Sequence, residues 1–127
     1  VYKLLLIAIG GAAGSVSRYL LAGWVQRAVE RVFPVGTLVV NVSGCLLIGI
    51  LGAMFAGQQV IRDEHRVLLM VGVLGGFTTF STFGYETLTL VNDRQYGLAL
   101  LNVLSSNGLG LMAVWIGYRA TQKLVGV

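Results

Sequence analysis

Three features of this sequence predict an all-α integral membrane fold of four transmembrane helices. Of its 127 residues, 56% are hydrophobic and only 11% are charged, where a soluble domain averages about 25% charged residues. Mean hydropathy is +0.82. Four long apolar runs, at 3–26, 35–57, 67–91 and 96–118, each reach the roughly 20 residues that cross a hydrocarbon core. They use nearly the whole chain, so residues 1–127 read as a single transmembrane domain with no soluble catalytic unit.

Helix one runs to about Gln26. It holds Arg18 and no clear cleavage pattern, unlike a typical signal peptide. The sequence starts at Val1, which leaves the native start open. Gly10, Gly14 and Arg18 follow i, i+4, i+8 spacing and share one stripe. The glycine pair permits close helix approach, and Arg18 on that stripe should meet protein or water. Trp24 suits an interface. Pro34, after a short loop, suits the start of helix two.

Helix two carries Thr37 and Asn41 at i, i+4, with Gly44 three further on. Gly49 and Gly52 thin its later turns. Ser43 lies on another face, and the lone Cys45 reads as a small packed residue. The link from Gln58 to Arg66 holds a mixed-charge cluster. In helix four, Asn102, Ser106 and Gly110 repeat the polar-then-small stripe, and Trp115 and Tyr118 suit the far interface.

Helix three is the unusual one. Gly75-Gly76-Phe77-Thr78-Thr79-Phe80-Ser81-Thr82-Phe83 sets two glycines, four hydroxyls and three aromatic rings inside an apolar run. Backbone that loosens at membrane depth is tolerated only where protein or a polar cavity surrounds it, and broken membrane helices often hold ions with freed carbonyls. The pattern predicts a helix interrupted around Gly75 to Thr79 and resuming through Phe80, Phe83 and Glu86.

The net charge of +4 sits mostly at helix ends, which marks topology and not nucleic-acid binding. With both termini on one side, Lys3, Arg62, Arg66, Arg119 and Lys123 oppose Arg27, Arg31 and Arg94. That weak bias suggests insertion in both orientations and an antiparallel homodimer. Of the carboxylates, only Glu86 lies inside a helix away from its ends, and the single histidine is in a charged link. With no P-loop, metal-spaced cluster or nucleophile elbow, an enzyme is not expected.

The helices do offer uncharged polarity: Thr37, Asn41, Thr78, Thr79, Ser81, Thr82, Asn102, Ser105, Ser106 and Asn107. Such groups can replace water around an ion without a fixed charge, as a selective pore requires. They can equally glue helices together by hydrogen bonds. Phe80 and Phe83, at i, i+3, can offer positive ring edges to an anion or pack as core. Arg18 can raise anion concentration at a vestibule or pair with a carboxylate or helix carbonyls. Glu86 shares a face with Thr82. It is either a functional intramembrane carboxylate or an acid solvated near the interface.

These residues resemble the Fluc (CrcB-type) family of small fluoride channels. The matching motifs are Gly36-Thr37-Leu38-Val39-Val40-Asn41 with Gly44 and Gly49, the Gly75–Phe83 stretch, and Gly10-Gly11-Ala12-Ala13-Gly14 with Arg18-Tyr19. The likeness spans all four helices. Cys45 and Leu46 stand where members often carry a phenylalanine. The resemblance implies a dual-topology homodimer in a prokaryotic inner membrane, with two fluoride pores that let fluoride leave the cytoplasm. It also implies a central structural sodium ion that is bound and not transported. Phe80 and Phe83 would be pore rings and Asn41 a pore amide. Ser81 and Thr82 would lie on a hydroxyl track with Glu86 near its end, joined by Thr37 and Ser106. Arg18 would face a vestibule, and Gly75 and Thr78 would give carbonyls to sodium. Two rival classes are a small multidrug exporter, which needs a carboxylate in helix one where this chain has Arg18, and a non-transporting assembly subunit.

Overall fold

The computed structural model describes residues 1–57 and 62–126. Helices α1 (Tyr2–Val29) and α2 (Val35–Gly57) are followed by a span built in pieces. That third span comprises α3 (Asp63–Arg66), a π-helical stretch at Val67–Val73, α4 (Leu74–Phe77) and α5 (Phe80–Asn92). Helix α6 (Tyr96–Val125) completes the bundle, so four spans are long and apolar enough to cross a membrane.

Helix α1 runs about a turn past its predicted end at Gln26. Arg27 suits the negative pole of its last turn, and Glu30 closes it in a left-handed conformation with its N–H on Gln26 O. Pro34 precedes α2 as expected, its carbonyl accepting from Leu38 N at 3.3 Å. The third span starts four residues earlier than the predicted Val67. Asp63 and Glu64 occupy its first turn, where carboxylates favour a helix N-terminus. The first part of the predicted Gln58–Arg66 link, at 58–61, lies outside the described residues. Between α5 and α6 the chain turns at once. Arg94 takes φ 60°, and Gln95 N reaches back to Leu90 O at 2.8 Å, closing the exposed carbonyls of α5.

Lipid tails are as apolar as leucine, so small residues and hydrogen bonds must hold such helices together. Helix α1 lies on the first half of the third span and α2 lies along α6. A Cβ at Gly10 would stand 2.7 Å from Leu68 O, and one at Gly76 would stand 2.6 Å from Gly11 O. A Cβ at Gly14 would collide with Val73 O. The predicted Gly10–Gly14–Arg18 stripe is thus the seam between α1 and the third span. Gly49 and Gly117 make the same close approach between α2 and α6, against Val114 O and Leu46 O. Trp24 and Trp115 stay exposed, as interface anchors should. Tyr118 instead lays its ring beside Gly52.

The interruption of helix three falls at the end of the expected Gly75 to Thr79 stretch. Gly75 and Gly76 remain helical in α4. Extended backbone is confined to Thr78 (φ −86°, ψ 152°) and Thr79 (φ −150°, ψ 114°).

Candidate functional site

A break in a membrane helix strands backbone groups that need partners, and here neighbouring helices supply them. Asn41 pairs with Thr79 twice. Its Oδ1 accepts from Thr79 N at 2.8 Å, and its Nδ2 donates to Thr79 O at 2.9 Å. Thr79 N–H would meet Gly75 O in an unbroken helix, so Asn41 releases the Gly75 carbonyl. Arg18 Nε donates to Gly76 O at 3.1 Å. The carbonyl-pairing alternative for Arg18 is therefore realised at the break itself.

Thr79 also caps the new helix. Its Oγ1 accepts from Thr82 N at 3.2 Å, donates to Thr82 Oγ1 at 3.1 Å and pairs with Ser81 Oγ at 3.2 Å. A threonine at this position is a favoured N-cap. Thr82 N–H would otherwise meet Thr78 O, so the cap releases a second carbonyl. The Thr37–Asn41–Gly44 stripe of α2 faces the break throughout. Thr37 Oγ1 donates to Glu86 Oε2 at 2.9 Å, and a Cβ on Gly44 would collide with Thr78 Cγ2.

Two cavities flank this knot. One, of about 360 Å³, is bordered by Asn41, Gly75, Thr78, Phe80, Phe83 and Ser106, with Cys45 and Gly110 opposite. The other, of about 340 Å³, is bordered by Arg18, Gln26, Arg27, Thr37, Thr82 and Glu86. Thr79 borders both, so the Asn41–Thr79 pair stands between them. The first has mostly apolar walls with a few amides and hydroxyls. The second carries two guanidinium groups and one carboxylate, a combination that favours anions at its mouth.

Phe80 and Phe83 share a face as predicted, with centroids 5.3 Å apart and planes at 48°. Phe83 is 8% exposed, but Phe80 stands at the rim, 78% exposed. Glu86 is half-buried and not merely solvated. One oxygen is held by Thr37 and the other, Oε1, is buried with no partner among the described residues. Ser81 borders neither cavity; among the described residues its hydroxyl reaches only Thr79.

In the sequence Thr79 is one hydroxyl among many, and Thr87 and Gln26 carry no mark of their own. Gln26 ties the α1–α2 loop, donating to Arg31 O and Phe33 O and accepting from Gly36 N. A threonine three residues before Thr82 at a helix restart is the one local signal that could have marked Thr79. The contacts of Asn41, Arg18 and Thr37 join residues far apart in the chain.

The model of the family described as "CrcB-like protein, Camphor Resistance (CrcB)" matches residues 5–118. A Geobacter sulfurreducens protein named fluoride-specific ion channel FluC is 48% identical over 121 residues, covering 95% of this chain and 98% of its own. A Thermus thermophilus protein of the same name is 47% identical over 126 residues, covering 99% and 98%. A third, from Methylobacillus flagellatus, is 43% identical over 118 residues and 92% of each chain. With a match running from the first helix into the last, this chain belongs to the CrcB-like family.

Proposed function

We propose that this protein is a fluoride-selective channel of the inner membrane of a prokaryote, working as an antiparallel homodimer with two pores and letting fluoride leave the cytoplasm. The observation that carries the reading is the broken third span, with Asn41 locked on Thr79 between a cationic cavity and a phenylalanine-lined one. The name shared by its relatives points the same way.

Fluoride is strongly hydrated, so a pore must replace its water with many moderate donors. Arg18 at the vestibule would gather anions. Thr37, Thr82 and Glu86 would line the way to the knot. Asn41, Ser106 and the edges of Phe80 and Phe83 would take the ion beyond it, with Ser81 at the outer margin. No carboxylate lies in helix one, which speaks against proton-coupled export of cationic drugs. A second copy laid over the exposed Phe80 would complete the larger cavity, and dual insertion fits the weak charge bias.

A structural sodium ion fits the donor set at the break. Gly75 and Thr78 both border the larger cavity, and both have lost their helical N–H partners to Asn41 and Thr79. Carbonyl oxygens of that kind suit a hard cation. Gly75 also has open space beyond its Cα, the nearest atom to an added Cβ being Met70 O at 3.9 Å.

The test is ion efflux from liposomes holding the purified protein, with a potassium ionophore to clamp voltage. Fluoride efflux without chloride efflux is the expected result. A folded protein that releases no fluoride would reduce the family likeness to fold alone.

A further inference from the structure

Asn102 and Thr87 border neither cavity, yet both are tied to residues that do. Asn102 is an amide 2% exposed inside a membrane helix, so its polar atoms need fixed partners. Thr87 Oγ1 donates to Phe83 O at 2.8 Å. A hydroxyl has one proton, so toward Asn102 this oxygen can only accept. Asn102 Nδ2 donates to it at 2.9 Å. The orientation of the amide follows, with Oδ1 facing Ser106 and accepting from Ser106 Oγ at 3.3 Å.

The chain of donors therefore runs one way, from Ser106 through Asn102 and Thr87 to Phe83 O. Ser106 borders the larger cavity, but its only proton is turned away toward Asn102. An anion arriving there must draw that proton off the amide, so Ser106 holds it weakly. Weak holding is what lets an ion leave a site.

We infer that Asn102 and Thr87 are positioning residues, a one-way hydrogen-bond relay that sets the proton direction of Ser106 and keeps the larger cavity's grip on its anion weak. The inference rests on the fluoride-channel reading. Cutting the relay at Thr87 frees the amide to turn, donate to Ser106 Oγ and release the serine proton to the cavity. The anion is then held more tightly and leaves more slowly.

The experiment measures fluoride efflux against fluoride concentration for the full-length protein in liposomes. Thr87→Val should lower the half-saturating fluoride concentration about fivefold, the effect of one freed hydrogen bond, and lower the maximal flux with it. Thr87→Ser, which keeps the hydroxyl, should stay within about twofold of the starting protein. In a Ser106→Ala background, Thr87→Val should add no further shift, because coupled residues are not additive. Should Thr87→Val fail to reconstitute, Thr87→Ala removes the same hydroxyl without added bulk and takes its place. Unchanged efflux in the hydroxyl-free variant, equal shifts in both backgrounds, or a Thr87→Ser variant as impaired as Thr87→Val would each overturn the relay. A starting protein that passes no fluoride overturns the channel reading and the relay with it. A conducting protein without the coupling overturns the relay alone.

Discussion

Replacing Asn41 with leucine keeps the shape of the side chain and removes both halves of its pairing with Thr79. The two bonds, at 2.8 and 2.9 Å, hold the N–H and the C=O of one extended residue. Interhelical hydrogen bonds in membranes average about 0.6 kcal/mol and reach about 1.7, so the pair is worth about 1–3 kcal/mol. Thr79 has left the helical ladder, so Asn41 is the replacement partner for both of its backbone groups. If conduction requires the break to hold its geometry, the same energy lowers the conducting population about fivefold to a hundredfold. Unfolding equilibria in detergent and fluoride efflux from liposomes are to be read on the same preparations. A loss in both is expected, since Asn41 is at once a wall of the larger cavity and the staple of the break. An Asn41→Leu protein with unchanged stability and unchanged flux would refute the assignment of the break's energetics to this amide.

Three further outcomes follow from the geometry. Phe83→Ile and Phe80→Ile should both depress fluoride efflux strongly. The buried Phe83 should also lose about 1–3 kcal/mol of stability, while the exposed Phe80 should lose little within one chain; normal efflux in both variants would remove the rings from the mechanism. Gly14→Ala drives a Cβ into Val73 O, backbone that cannot yield, and should destabilise by about 1–3 kcal/mol in an unfolding titration, whereas Gly84→Ala, in open space, should be neutral. Exchanging sodium for a bulky organic cation should make the protein easier to unfold without making efflux follow a sodium gradient; equal stability in both salts would take sodium away from the Gly75 and Thr78 carbonyls.

Much of the architecture was legible because membrane helices declare themselves locally. Four apolar runs met a length requirement, and three small-and-polar stripes at helical spacing marked the seams. Gly10–Gly14–Arg18 faces the third span, Thr37–Asn41–Gly44 faces the break, and Asn102–Ser106–Gly110 faces inward from α6. Spacing alone showed which residues share a face. It did not show which partner each face meets, so glue and pore remained open for every polar residue. The site residues divided accordingly. Asn41, Phe83 and Ser106 gather at one cavity, Arg18, Thr37, Thr82 and Glu86 at another, and Ser81 stays outside both.

The position of the break shows where local information ended. Two glycines are the weakest helix formers in the segment, and the sequence alone pointed to the whole stretch from Gly75 to Thr79. Yet Gly75 and Gly76 stay helical, and the extended residues are Thr78 and Thr79. Gly76 serves packing, as the surface on which Gly11 rests. A helix buried in lipid opens only where its freed groups find replacements, and those replacements come from other helices. Asn41 of α2 meets Thr79, and Arg18 of α1 meets Gly76 O. The sequence by itself determined that one membrane helix would be interrupted and which polar residues were available to it. Where the interruption fell, which carbonyls it released and how Ser106 came to point its proton at Asn102 were decided by tertiary structure, because hydrogen-bond satisfaction in a membrane is settled between helices and not within one.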